Sequence, residues 1–136
     1  MYFYDAGLAS WLCGIEELRH LQNHPLRGSL YENMIVADIL KWRWNRGKSN
    51  NLSFYRDSNG NEVDLIYEVG GKPLPVEIKS GKTVSEDYFK GVRRFTKEVN
   101  ADAKGILFYA GDIEQDRSDV QVVNYRRLPD ILESVG

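Results

Sequence analysis

The chain is 136 residues long, enough for one compact domain with a single core and too short for two independent ones. Hydrophobic residues at 42% and charged residues at 28% match an ordinary globular domain, which excludes a chain too polar to fold. A formal charge of -2 excludes a global basic field, so any nucleic acid would have to meet a local patch; Cys13, the single cysteine, excludes an intrachain disulfide.

From the start, Tyr2-Phe3-Tyr4-Asp5-Ala6-Gly7-Leu8 predicts a short strand running into a helix through Trp11 and Leu12. Cys13 to Arg27 predicts a short helix and a loop at Asn23-His24-Pro25, where proline stops the helix. Residues 1–27 are therefore expected to form a junction segment, and residues 28–136 the main domain. Ser29 to about Trp44 is strongly helical in pattern, with Ser29 as N-cap and Glu32 three residues on, as in a capping box. Ile35, Val36 and Ile39 follow Glu32 at i+3, i+4 and i+7, so this carboxylate lies on the apolar stripe.

Three strand-like runs follow, Leu52 to Arg56, Glu62 to Glu68 and Leu74 to Ser80, joined by Asp57-Ser58-Asn59-Gly60 and by Gly70-Gly71. Ser85 caps a helix from about Glu86 to Val99 whose stripe is Phe89, Val92, Phe95 and Val99. Gly105 to Ala110 is an apolar strand, Gly111 to Asp119 a polar loop, Val120 to Tyr125 a further strand, and Pro129 opens a terminal helix. A strand, a helix and a strand in that order predict a right-handed crossover and a parallel pair. The expected fold is α/β, with three α/β/α layers around a mixed sheet of four to five strands.

A two-residue turn at Gly70-Gly71 sets Asp64 opposite Glu77 and Glu62 opposite Lys79, on the same side of the sheet and about 5 Å apart at Cβ. In that register Pro73 and Pro75 fall at non-hydrogen-bonded positions and cost the hairpin nothing. Pro75 would still cost a bond on the other side of its strand, so the parallel neighbour is expected to pair mainly after Val76. Two facing carboxylates call for a cation or a shared proton, and hard oxygen donors suit Mg²⁺ or Mn²⁺. Glu62 is expected to pair with Lys79, a further metal ligand being the alternative, while His20 and His24 have no partner at ligand spacing.

Asn61-Glu62-Val63-Asp64-Leu65-Ile66 followed by Val76-Glu77-Ile78-Lys79-Ser80 resembles the signature of the PD-(D/E)XK (restriction-endonuclease-like) nuclease superfamily, and Glu32 matches the helical glutamate of many members. Val63 stands where the superfamily's name has proline. The whole chain looks like the C-terminal domain that follows an AAA-type ATPase module in many prokaryotic proteins. The resemblance implies that Asp64, Glu77 and the Ile78 backbone carbonyl bind Mg²⁺ or Mn²⁺. Glu32 would serve a second metal or act through water, and Lys79 would orient or deprotonate the attacking water and stabilise developing charge. The implied chemistry is metal-assisted hydrolysis of DNA phosphodiesters, with a catalytically silent binding module of the ATPase as the alternative. Lys82, Lys90, Arg93, Arg94 and Lys97 are the candidate contacts to a phosphate backbone. No G-x-x-x-x-G-K-[ST] loop occurs, so this chain holds no such ATP site, and with no apolar run of roughly 18 residues the protein is expected in the cytoplasm without a membrane partner.

Overall fold

The computed structural model describes residues 1–99 and 102–136. Helices α1 (Ala6–Leu12), α2 (Leu18–Gln22) and α3 (Arg27–Trp44) precede strands β1 (Leu52–Arg56), β2 (Glu62–Val69) and β3 (Lys72–Lys79). A 3₁₀ turn, Glu86–Phe89, then leads into α4 (Lys90–Glu98), followed by β4 (Gly105–Tyr109), β5 (Gln115–Asp116), β6 (Val120–Asn124) and α5 (Leu128–Val135). The strands form one mixed sheet in the order β1-β2-β3-β4-β6-β5, with β3, β4 and β6 parallel to one another.

Helices cover both faces of the sheet. Ile35, Val36, Ile39 and Trp42 of α3 and Leu128, Ile131 and Leu132 of α5 pack on Leu65, Tyr67, Val76, Ile78, Ile106 and Phe108. Phe89 and Val92 pack on Leu107, Tyr109, Val120 and Val122 of the other face, and Phe95 on Val63 and Ile66. The alternation of Ile106 and Phe108 with Leu107 and Tyr109 follows from the two-residue period of a strand buried on both sides.

The predicted hairpin forms in the predicted register. Leu65↔Val76, Ile66↔Pro75, Tyr67↔Leu74, Glu68↔Pro73 and Val69↔Lys72 pair across a turn in which Gly70 and Gly71 both take positive φ, 56° and 77°, as a tight right-twisting hairpin requires. The parallel ladder to β4 begins at Val76, as the prolines of β3 demand.

Several expectations are corrected. Among the described residues the sheet has six strands instead of four to five, because two residues of the polar loop, Gln115 and Asp116, pair with β6; so short a strand leaves no periodic trace. The helix α3 starts at Arg27 behind Leu26, so Ser29 is not its cap and the capping-box role of Glu32 disappears. Val99 is exposed, beyond the end of α4.

Tyr2 to Tyr4 is not a strand. Its backbone is instead held by Asn33, whose side chain accepts from the Phe3 N–H at 2.6 Å and donates to the Phe3 carbonyl at 2.9 Å, so one amide supplies what a neighbouring strand would have. Asn33 is 6% exposed, so both bonds lie away from competing water. Asn33→Ala is expected to cost about 2 kcal/mol and to release residues 1–4 to proteases. Limited proteolysis that leaves this end as protected as in wild type would contradict it.

Candidate functional site

The site is built where β2 and β3 part. From Leu65 to Val69 the two strands pair step for step, but the ladder stops at Leu65. On the other edge of β2, Ser53 pairs with Ile66 and Tyr55 with Val63, so the single residue Phe54 stands opposite both Asp64 and Leu65. That is a β-bulge, one extra residue in β2 at the candidate aspartate. Its effect shows in the packing: Val63 and Ile66, three apart, share one face, whereas Leu65 and Tyr67 share the other. Simple alternation would have put Val63 with Leu65.

The bulge frees the Asp64 carboxylate to occupy the space the ladder vacates. In an unbroken antiparallel pair the Ile78 N–H would meet the Val63 carbonyl. Here Asp64 Oδ2 accepts it at 2.8 Å. Because the N–H and C=O of one strand residue lie on the same edge, the Ile78 carbonyl also faces β2. Lys79 Nζ reaches Asp64 Oδ2 at 3.2 Å and Glu77 Oε1 at 2.9 Å, and the Asp64 N–H lies 3.5 Å from Glu77 Oε2. Asp64, Glu77 and Lys79 thus converge as the register predicts.

Glu32, on α3, forms no metal-ligand group with Asp64 and Glu77, so the expected second-metal role finds no ligand set here. Its carboxylate is half-buried, accepts a hydrogen bond from the Tyr2 hydroxyl at 2.5 Å, and lies within the electrostatic reach of Asp64 and Lys79. Tyr2 in turn stacks on Phe54, the residue opposite the bulge, with ring centroids 5.3 Å apart. Sequence reasoning overlooked Tyr2 and Asn33. The only trace they left was a polar pair, Glu32-Asn33, on an otherwise apolar helix stretch.

The charges respond to this crowding. Burial, then the neighbouring Asp64 carboxylate, pushes Glu77 up to about 7 against the pull of Lys79. Glu32 is raised, first by burial and then by Asp64, with the Tyr2 hydroxyl opposing. Burial works against the Lys79 ammonium, but Asp64 and Glu77 outweigh it and hold its pKa above the ordinary lysine range. Lys79 therefore stays charged at neutral pH.

The remaining candidates divide. Glu62 pairs with Arg56 at 3.2 Å and not with Lys79, because the hairpin ladder has ended before it. Lys90 pairs with Asp87, Arg93 with Glu86 and Asp119, and Arg94 with Asp57 and Glu98, so the basic stripe of α4 is largely neutralised in place. Lys82 and Lys97 are exposed and have no ion-pair partner among the described residues. Nδ1 of His24 accepts the Leu26 N–H, and His20 is exposed.

The donor set suits a small hard cation: two oxygen-bearing side chains at the mouth of a split ladder, one of them buried enough to resist ionisation. Mg²⁺ commonly takes only one or two carboxylates and keeps several waters, so Asp64 and Glu77 would suffice. Among the described residues, however, no three His, Cys, Asp or Glu side chains form a metal-ligand group, and the Lys79 ammonium lies within ion-pair distance of both carboxylates.

The fold and site define an α/β domain with a carboxylate-lysine centre at a split hairpin. The chain belongs to the family described as "Domain of unknown function (DUF4143)", which it matches over residues 27–128, from the first residue of α3 to the first of α5. It is 29% identical over 85 residues to the uncharacterized protein Rv2008c of Mycobacterium tuberculosis and, to the same extent, to the uncharacterized protein Mb2031c of Mycobacterium bovis. The match covers 62% of this chain and 18% of the length of each relative. No solved structure matches it. No helix among the described residues is long and apolar enough to cross a membrane.

Proposed function

We propose that this chain is a metal-dependent nuclease domain of the PD-(D/E)XK type, cleaving DNA phosphodiesters as part of an AAA-type ATPase. The observation that carries the reading is the meeting of Asp64, Glu77 and Lys79 at the end of the β2–β3 ladder, with Glu32 close by. The bulge adds support, since such irregularities gather at active sites and re-aim side chains. Proteins of this family commonly carry the domain at the C-terminus of an AAA-type ATPase, which supports the second half of the proposal.

In this reading Asp64 and Glu77 hold Mg²⁺ or Mn²⁺, with the Ile78 carbonyl on the same edge of β3. The bound cation would supply an activated water and neutralise charge on the phosphate. Lys79, fixed as an ammonium, orients the attacking water and stabilises the developing negative charge; its raised pKa argues against the part of general base. Glu32 and the Tyr2 hydroxyl form a polar wall that positions water on the α3 side.

A second reading has its own observation. Lys79 already balances Asp64 and Glu77, and three of the four α4 cations are engaged, which would suit a catalytically silent module that regulates the ATPase. The two separate on cleavage of plasmid, single-stranded and branched DNA with Mg²⁺ or Mn²⁺, with Asp64→Ala and Lys79→Ala alongside. Metal-dependent cutting that falls at least about a thousandfold in both variants is the expected result. Calorimetry adds a second readout: because Glu77 gives up its proton near pH 7, Mg²⁺ binding should tighten between pH 6 and pH 8. Cation binding indifferent to pH and to Asp64, with no cutting even beside the ATPase, would leave the regulatory reading.

A further inference from the structure

A cavity of about 430 Å³ lies between the N-terminal helices and the carboxyl ends of the three parallel strands, within the size range of small-ligand sites. Each of these strands contributes to its lining immediately after it ends: Ser80 and Lys82 after β3, Ala110 after β4, Tyr125 and Arg126 after β6. Ligands of open α/β sheets settle in this place, because the connections leaving parallel strands diverge there. The three ends are tied together: Asn124 Nδ2 donates to the Gly111 carbonyl at 2.7 Å, and the Ala110 N–H to the Gly81 carbonyl at 3.1 Å.

The lining has a definite chemistry. Much of it is apolar, with Leu18, Leu21, Leu30 and Met34 on the helix side; Arg27, Lys82 and Arg126 also face it, and among the described residues no carboxylate does. Elsewhere the cations of this mildly acidic chain are mostly neutralised, as Arg93, Arg94, Arg117 and Arg127 are; these three form no ion pair among the described residues. Arg27 is held in position by its bond to the Ser80 carbonyl at 2.9 Å. Against the cations stands an aromatic pair, Tyr31 and Tyr125, edge to face with centroids 5.6 Å apart. The Tyr31 hydroxyl is buried and has no hydrogen-bond partner among the described residues, so this side chain meets the cavity through its ring.

We infer that this cavity binds one nucleotide of a single-stranded nucleic acid, its phosphates on Lys82 and Arg126 and its base against Tyr31 and Tyr125. Cationic grooves with aromatic platforms are the usual way to hold single strands. A fatty-acid anion, with one charge, would leave two of the three cations unused. The inference rests on the nuclease reading only in its direction, since a strand leaving Lys79 would meet Ser80 and Lys82 next; the cavity's own chemistry is independent of it.

The test is calorimetric titration of a thymidine dinucleotide with a 5′-phosphate, in EDTA, into wild type and Asp64→Ala. Saturable binding of equal strength in both is expected. Lys82→Ala and Arg126→Ala should each raise Kd roughly tenfold and flatten the slope of log Kd against log salt by about 0.7, while Lys72→Ala, beside the β2–β3 turn and outside the cavity lining, changes neither. Tyr125→Leu should weaken binding as well, by removing the aromatic surface that the base would meet. No saturation, unchanged affinity in both alanine variants, or saturation by decanoate that the dinucleotide cannot compete would overturn the inference. Binding as expected from a wild type that cuts no DNA even beside the ATPase would sink the nuclease reading and leave this one standing.

Discussion

Lys79→Met is expected to lower the melting temperature by about 10 °C at pH 8 and far less at pH 5. Lys79 carries the positive charge that Asp64 and Glu77 share, and removing one partner of a largely buried ionic group typically costs about 3 kcal/mol or more. In a domain of this size that is on the order of 10 °C. Glu77 sets the pH dependence. Its folded-state pKa, about 7, lies above the ordinary carboxyl value of 4.5, so the folded state holds its proton more tightly and this contribution to stability is lost as pH rises from about 4.5 through about 7. Without the ammonium the carboxylate is harder still to ionise, which steepens that loss and extends it upward. The lysine itself, raised above 10.5, stays charged throughout this range. Mg²⁺ should restore part of the lost stability at pH 8, a readout that needs no cleavage. Melting curves displaced equally at both pH values would mean that the two carboxylates do not depend on Lys79.

Gly91→Ala is expected to destabilise the protein by about 2 kcal/mol, although the same change in an exposed helix would stabilise it by about 1 kcal/mol. Gly91 lies in the first turn of α4, and a Cβ there would stand 2.4 Å from the Glu62 backbone carbonyl oxygen. A backbone atom cannot swing aside, so helix and strand must separate. Glu62 is two residues from Asp64, and the shift would pass directly into the bulge; on the proposed nuclease reading, cleavage should fall with stability. Gly105 makes the same close approach from the sheet's side, where a Cβ would meet Val92 Cγ1 at 2.3 Å. Urea unfolding that shows Gly91→Ala as stable as wild type would mean that α4 rides higher on β2 than so close an approach allows.

Sequence reading reached the hairpin register and the facing of Asp64, Glu77 and Lys79 because two adjacent glycines and two prolines constrain the same ladder. The helix α4 and the opening of α5 were legible because each rests on local chemistry, and the parallel pairing of β4 because a strand-helix-strand order has one favoured hand. What escaped depends on distant partners. The bulge exists only in the pairing of β1 with β2, so nothing within Glu62 to Glu68 announces it. The strand expected at Tyr2 is replaced by pairing with a side chain 30 residues away. Glu62 looked like a partner for Lys79 only if the ladder continued past Leu65, and β5 is defined wholly by its neighbour.

The bulge also governs which changes of length this domain can absorb. Removing the extra residue at Leu65 would carry Asp64 one step along β3, roughly 3.4 Å, to a place opposite Val76 and out of reach of Lys79. Lengthening at the Gly70-Gly71 tip is different: one residue added to each strand leaves every older pair intact. Insertions in this hairpin should therefore be tolerated in twos at the tip and hardly at all between Val63 and Ile66. The separation of aspartate and glutamate in sequence can drift, by even numbers, while their separation in space stays fixed.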